Sequence, residues 1–121
     1  MDIGEIDPSM WRGGDARTPA PASEVRFSRR ELDRILSLYG RMVAAGEWRD
    51  YAIDFLKDRA VFSIFRRASE VPIYRIEKNP KLSRKQGAYS VVSATGLILR
   101  RGHELDHVLN VLQRSLRVVA S

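Results

Sequence analysis

The chain of 121 residues is 44% hydrophobic and 30% charged, an ordinary composition for one globular domain. It has a formal net charge of +6 and no cysteine, so disulfides, cysteine nucleophiles and thiolate zinc sites are excluded. The longest apolar run has four residues, against the roughly 20 that a membrane span requires, and the acidic start MDIGEIDPSM lacks the apolar core of a secretory signal. We therefore expect a cytoplasmic protein that does not bind membranes.

The positive charge is unevenly distributed. Residues 1–27 contain three arginines and five acids, whereas residues 28–121 contain 18 basic and 10 acidic residues. Arginine outnumbers lysine 17 to 4. Because guanidinium groups bind phosphates through two parallel hydrogen bonds, this bias favours a nucleic-acid partner. A GC-rich genome produces the same bias without any functional cause, and composition does not separate the two explanations.

Residues 1–24 are predicted to form a disordered tail, because WRGGDARTPAPAS is rich in glycine, proline and alanine and has no hydrophobic period. Trp11 is the exception within it, and this side chain could either anchor a partner or pack back on the domain. Residues 25–119 are predicted to form a single domain.

The stretch FSRREL predicts the start of a helix. Ser28 can cap the first turn, Glu31 can return a hydrogen bond to the cap, and Phe27 and Leu32 can form a hydrophobic staple. Gly46 is expected to end this helix, since glycine adopts the left-handed backbone conformation without steric cost. Between them, apolar residues recur mostly at helical spacing: Leu32, Ile35, Leu36, Leu38, Tyr39, Met42 and Val43.

Alternating patterns predict five strands after this helix. They are YAIDFL (51–56), VFSIFRR (61–67), VPIYRIEK (71–78), AYSVVS (88–93) and GLILRR (96–101). Short connections between them indicate an antiparallel meander, and Pro72 is expected at an edge or at a strand start, since it lacks an N–H group.

A final helix is predicted at about residues 103–117. The order helix, five strands, helix predicts an α+β fold, a two-layer sandwich in which the N-terminal and C-terminal helices pack on one face of a five-stranded antiparallel meander sheet. The sequence does not show which sheet face the helices cover. If the helices lie on one side only, we expect the other face to carry Phe, Tyr or Ile residues that need cover, which favours a homo-oligomer such as a homodimer.

The string HELDH at residues 103–107 matches the zinc-protease signature, in which two histidines on one helix face bind the metal beside a catalytic glutamate. The predicted helix argues against a zinc site, because His103 and His107 lie opposite the apolar stripe and no acid or histidine follows them as a third ligand. We predict no metal, with His103 and His107 as the residues that a metal-dependent hydrolase would use. The stripe consists of Leu105, Val108, Leu109, Leu112 and Leu116.

A basic loop, EKNPKLSRKQGAY, is the main candidate binding site. Cations together with an aromatic residue are typical of nucleic-acid binding, although a solvated loop gives the same pattern. If neighbouring strands bring further arginines to it, the site engages nucleic acid or an acidic protein. The candidate residues are Lys78, Lys81, Arg84, Lys85, Tyr89, Arg66, Arg67 and Arg75.

No catalytic residues or cofactor are predicted. A carboxylate pair from Asp50, Asp54, Asp58 and Glu77 is better explained by ion pairing across strands, and no serine lies at a plausible distance from a histidine. We therefore expect a binding or adaptor domain rather than an enzyme.

The stretch LYGRMVAAGEWRDYAIDFLKDRAVFSIFRRASEVPIYRIEKNPKLSRKQGAYSVVSATGLILRRGHEL resembles a family of short bacterial proteins, known from alphaproteobacteria, that is described only as a domain of unknown function. The similarity runs from about Phe27 to Val119. It implies a single cytoplasmic bacterial domain and brings no activity, ligand or catalytic residue with it.

Overall fold

A computed structural model describes residues 24–67 and 71–120, with the backbone alone for residues 114–120. The predicted tail, which includes Trp11, lies outside the described residues except for Glu24. The elements are α1 (Arg29–Ala44), β1 (Asp50–Phe55), β2 (Ala60–Phe65), β3 (Tyr74–Lys78), a single 3₁₀ turn (Pro80–Leu82), β4 (Tyr89–Ser93), β5 (Ile98–Gly102) and α2 (Leu105–Ala120).

Helix α1 begins and ends where its sequence predicts. The Ser28 Oγ accepts a hydrogen bond from the Glu31 backbone N–H, and the Glu31 carboxylate accepts one from the Ser28 N–H, so the capping box is complete. At the other end Gly46 has a φ of +79°, the left-handed conformation that follows a helix end.

The sheet is the predicted meander, because its spatial order β1-β2-β3-β4-β5 follows the chain and every neighbouring pair is antiparallel. The register aligns Ile53 of β1 with Phe62 of β2, Ile76 of β3 and Val91 of β4. Phe62, Ile76 and Val91 are fully buried, so this row marks the face that the helices cover.

Both helices pack on that face through one hydrophobic core, as predicted for a two-layer α+β sandwich. Ile35 and Leu38 of α1 and Val108 and Leu112 of α2 are at most 1% exposed within it. The helices run parallel. The Arg34 guanidinium of α1 lies 2.6 Å from the Asp106 carboxylate of α2, and the groove between the helices continues to Arg41 and Gln113, which each lie seven residues further along.

The opposite sheet face is built mainly from small and charged side chains. The aromatic residues of β1, Tyr51 and Phe55, lie on the covered face, where the Tyr51 ring stacks on Phe62 at 4.8 Å. Among the strand residues of the open face, only Phe65 and Ile98 are Phe, Tyr or Ile, so the expected face rich in these residues is reduced to two side chains. The open-face rows are Asp50–Phe65, Ala52–Ser63–Arg75–Val92–Ile98 and Asp54–Val61–Glu77–Ser90–Arg101.

Several predicted boundaries are wrong: β2 ends at Phe65 rather than at residue 67, β5 begins at Ile98 rather than at residue 96, and α2 ends at Ala120 rather than at about residue 117. Two further boundaries are wrong for a local reason. Strand β3 begins at Tyr74 rather than at residue 71, after Pro72, which cannot donate a hydrogen bond to a neighbouring strand. Helix α2 begins at Leu105 rather than at residue 103, because β5 pairs through Gly102 with Tyr89 and the chain needs two residues to turn into the helix.

Candidate anion-binding surface

The basic loop between β3 and β4 is held by its own hydrogen bonds. The Asn79 side chain accepts from the Lys81 backbone N–H at the start of the 3₁₀ turn. The Leu82 carbonyl oxygen accepts from the backbone N–H groups of Lys85, Gln86 and Gly87, at 3.0, 3.1 and 2.9 Å. Such local bonding gives residues 79–88 a defined conformation.

Two contacts fasten this loop to the end of β5. The Arg101 guanidinium donates to the Gln86 side-chain oxygen at 2.8 Å. Gly87 is buried against the backbone of Gly102, close enough that a Cβ atom built on Gly87 would lie 2.1 Å from the Gly102 carbonyl carbon. The loop therefore presents its side chains from a fixed position.

Three of the predicted site residues, Lys81, Arg84 and Lys85, are exposed on this loop. Residues 79–88 contain no acid, and none of the three cations forms an ion pair with the part of the chain that the structure describes. Their charge is thus available to an anion from solution.

Lys78 and Tyr89 flank the loop but point to the helix face of the sheet. Both donate hydrogen bonds to the Glu31 carboxylate, and Lys78 also donates to the Arg26 carbonyl oxygen at 2.8 Å. The Lys78 and Glu31 side chains are only 19% and 15% exposed. These two predicted binding residues instead tie the start of α1 to β3 and β4.

The same contacts shift the pKa values of Glu31 and Tyr89. Burial opposes ionisation of Glu31, but hydrogen bonds from Tyr89, Lys78 and the Ser28 N–H outweigh it and hold its pKa below the usual value. Burial, followed by the bond to Glu31 and its negative charge, raises the pKa of Tyr89 to about 12 from 10.0. Tyr89 is thus a neutral hydrogen-bond donor at physiological pH.

We predict an alkaline loss of stability that depends on Tyr89. Above pH 10 the unfolded chain loses the phenol proton while the folded chain retains it until about pH 12, so the contribution of this group is complete below pH 10 and falls as the pH rises to 12. Urea unfolding of the wild type and Tyr89→Phe across this range should show the wild-type advantage shrinking. Parallel stability curves for the two proteins would rule out this linkage.

The remaining predicted cations do not join the basic loop. Arg75 lies on the open face and pairs with Glu77 at 3.2 Å. Arg66 and Arg67 follow the last residue of β2, at the end of the sheet opposite the loop, because β2 and β3 are antiparallel and Ala60 pairs with Lys78. The predicted binding residues are therefore divided between the loop end of the sheet, the opposite end and the open face.

Sequence reasoning missed Arg30 as a neighbour of this site. The bonds from Lys78 and Tyr89 to Glu31 bring the first turn of α1 to the loop end of the sheet. Arg30 is exposed there and lines a groove of about 300 Å³ together with Tyr89 and His103. The capping motif FSRREL located the helix start, but nothing in the sequence indicated which strands it would contact.

The HELDH string does not form the zinc-protease arrangement. His103 and Glu104 precede α2, and the Glu104 carbonyl oxygen accepts the first helical hydrogen bond from Val108. His107 Nε2 lies 2.9 Å from the Arg100 guanidinium, whereas His103 lines the groove beside Ser28. Among the described residues no group of three or more potential metal ligands occurs. The two histidines thus do not share a helix face.

The fold and the exposed loop define a two-layer α+β domain that presents cations from an ordered connection between two strands. The chain belongs to the family described as protein of unknown function (DUF2794), whose family model matches residues 25–109. No curated protein and no solved structure gave a match. Among the described residues no helix has the length and apolar character needed to cross a bilayer.

Proposed function

We propose that the domain is a cytoplasmic, non-enzymatic binding or adaptor module that engages an anionic partner, nucleic acid or an acidic protein surface, through Lys81, Arg84 and Lys85. The observation that carries this is the concentration of three exposed cations, without any acid, on a loop fastened by Gln86 and Gly87. A fixed loop loses little conformational entropy when it binds, so its charges contribute more to affinity than those on a mobile segment.

The neighbouring helix start supports an anionic partner. Arg30 adds an exposed cation at the same end, and α1 and α2 run parallel, so both helix N-termini with their positive partial charge lie at this end. Glu31, Glu104 and Asp106 line the same groove as Arg30, so the excess of positive charge that backbone phosphates or clustered carboxylates would meet lies on the loop itself.

Charge reversal at the loop tests this function. Binding of a fluorescein-labelled single-stranded oligonucleotide of about 20 bases, and of poly-glutamate, would be measured by anisotropy at low salt. We expect Lys81→Glu/Lys85→Glu to weaken binding of the preferred polyanion roughly ten-fold or more, because it removes two contacts and adds repulsion. Arg49→Glu/Arg66→Glu, with the same change in net charge at the other end of the sheet, is the matched control.

The two polyanions also distinguish nucleic acid from an acidic protein. Preference for the oligonucleotide, with affinity falling linearly on a logarithmic salt scale, indicates nucleic acid. Preference for poly-glutamate indicates an acidic protein surface. The proposal fails if the wild type binds neither polyanion, or if both charge-reversed proteins bind as the wild type does.

A further inference from the structure

A second cationic surface lies at the end of the sheet opposite the basic loop. It is a depression of about 420 Å³ between the end of α1 and the end of β2. We name it the arginine hollow, defined by its lining residues Val43, Gly46, Trp48, Arg49, Arg66 and Arg67.

The hollow combines an apolar wall with a cationic rim. Val43 is 41% exposed and lines the hollow together with the buried Trp48. The Arg49 backbone N–H donates to the Phe65 carbonyl oxygen at 2.9 Å, which places Arg49 next to Arg66. These features fit a segment in which acidic residues stand beside large apolar ones.

Two arginines of the rim, Arg49 and Arg66, retain charge for a ligand. Arg49 forms no ion pair with the part of the chain that the structure describes. Arg66 lies 3.8 Å from Glu47, but its side chain is 60% exposed, and such pairs contribute little. Trp48 is only 4% exposed and cannot stack on a nucleobase, so the hollow favours a peptide over a nucleic acid.

The chain itself contains a segment with this chemistry. Residues 1–15 carry four acids against a single arginine, a net charge of −3. Large apolar residues are interleaved with these acids, and they are Ile3, Ile6, Met10 and Trp11. Charge and apolar content of this segment are both complementary to the hollow.

The length of the chain allows the contact. The Val25 backbone N–H donates to the Leu56 carbonyl oxygen, so the described chain starts beside the end of β1. The hollow lies at the start of β1. Six strand residues span about 20 Å, and residues 12–23 can span up to roughly 40 Å. A tether of this length gives an effective concentration on the order of millimolar.

We propose that the arginine hollow is the docking site of residues 1–15 of the same chain, with Trp11 against Val43 and the acidic residues on the rim formed by Arg49 and Arg66. This inference concerns a surface separate from the basic loop, and either proposal can fail without the other. It gives the acidic segment a place on the basic domain and leaves Lys81, Arg84 and Lys85 open to a partner.

Fluorine NMR of the full chain labelled with 5-fluorotryptophan tests the docking. The two tryptophans give two signals, Trp11→Phe assigns them, and a labelled synthetic peptide of residues 1–15 gives the position of undocked Trp11. In the intact protein we expect the fluorine chemical shift of Trp11 to differ from that of the peptide. In Arg49→Glu/Arg66→Glu we expect it to move to the value of the peptide. About 1 M salt should have the same effect by screening.

Matched variants separate docking from other effects. Lys81→Glu/Lys85→Glu changes the net charge equally and should leave the Trp11 signal in place, while the Trp48 signal reports that each variant is folded. Adding Asp2→Arg/Glu5→Arg to the variant with reversed arginines should restore the docked signal. A Trp11 signal at the peptide position in the wild type overturns the proposal. A Trp11 chemical shift that stays the same in Arg49→Glu/Arg66→Glu overturns it as well. A signal that changes on dilution assigns the contact to a second copy and also overturns it.

Discussion

Gly87→Ala is expected to destabilise the protein by on the order of 4 kcal/mol, a large part of the total stability of a small domain. Two effects add at this position. Gly87 has a φ of +101°, which an L-amino acid rarely adopts, and the new Cβ would lie 2.1 and 2.2 Å from the carbonyl carbon and oxygen of Gly102. Because the obstacle is backbone rather than a flexible side chain, β4 and β5 would have to separate at this end.

Gly96→Ala provides the matched control for that experiment. Gly96 has a similar φ of +91°, but a Cβ there would meet nothing within 4 Å, so its substitution costs only the backbone strain of about 1 kcal/mol. Urea unfolding followed by far-ultraviolet circular dichroism would compare the two variants. Equal stabilities would show that the loop can move away from β5, and would contradict the fixed position of the basic loop.

Glu31→Ala is expected to cost about 3 kcal/mol, because it leaves the part-buried Lys78 ammonium and the Tyr89 hydroxyl without their common partner. The same substitution removes the hydrogen bond to the Ser28 N–H that completes the helix cap. Tyr89→Phe removes a single donor and leaves the carboxylate bonded to Lys78 and Ser28, so it should cost only about 1 kcal/mol.

A double-mutant cycle isolates the ion pair within this cluster. Lys78→Met in the Glu31→Ala background removes the uncompensated charge, so the double variant should be more stable than the sum of the two single changes predicts. Additive free energies of unfolding, measured by urea unfolding at pH 7, would contradict the pairing of Lys78 with Glu31. Since the pKa of Glu31 is lowered in the folded state, the wild-type advantage should also be lost as the pH falls below 4.5.

Local signals in the sequence predicted the fold well. The capping box at Ser28 and Glu31 and the glycine at position 46 fix α1, and alternation with short connections predicts five antiparallel strands in sequential order. Each of these features depends on residues close in the chain. The boundary of α2 was wrong, since the pairing of Gly102 with Tyr89 depends on residues that are distant in sequence.

The candidate site was harder to predict, because its composition depends on tertiary contacts. The alternation of Tyr74, Ile76 and Lys78 places Lys78 on the same face as Ile76, but its partner Glu31 lies 47 residues away. The prediction that Arg66 joins the loop is wrong, because a meander places the end of β2 and the β3–β4 connection at opposite ends of the sheet. That separation follows from the predicted topology itself.

Chemical-shift mapping tests the central claim most directly. The ¹⁵N-labelled full chain would be titrated with the oligonucleotide or poly-glutamate, whichever it binds. The account predicts that the largest amide shifts occur at Lys81, Arg84 and Lys85, that they disappear in Lys81→Glu/Lys85→Glu, and that Arg49 and Arg66 change little. Largest shifts at the arginine hollow, with residues 79–88 unchanged, would contradict the assignment of the anion-binding site to the basic loop.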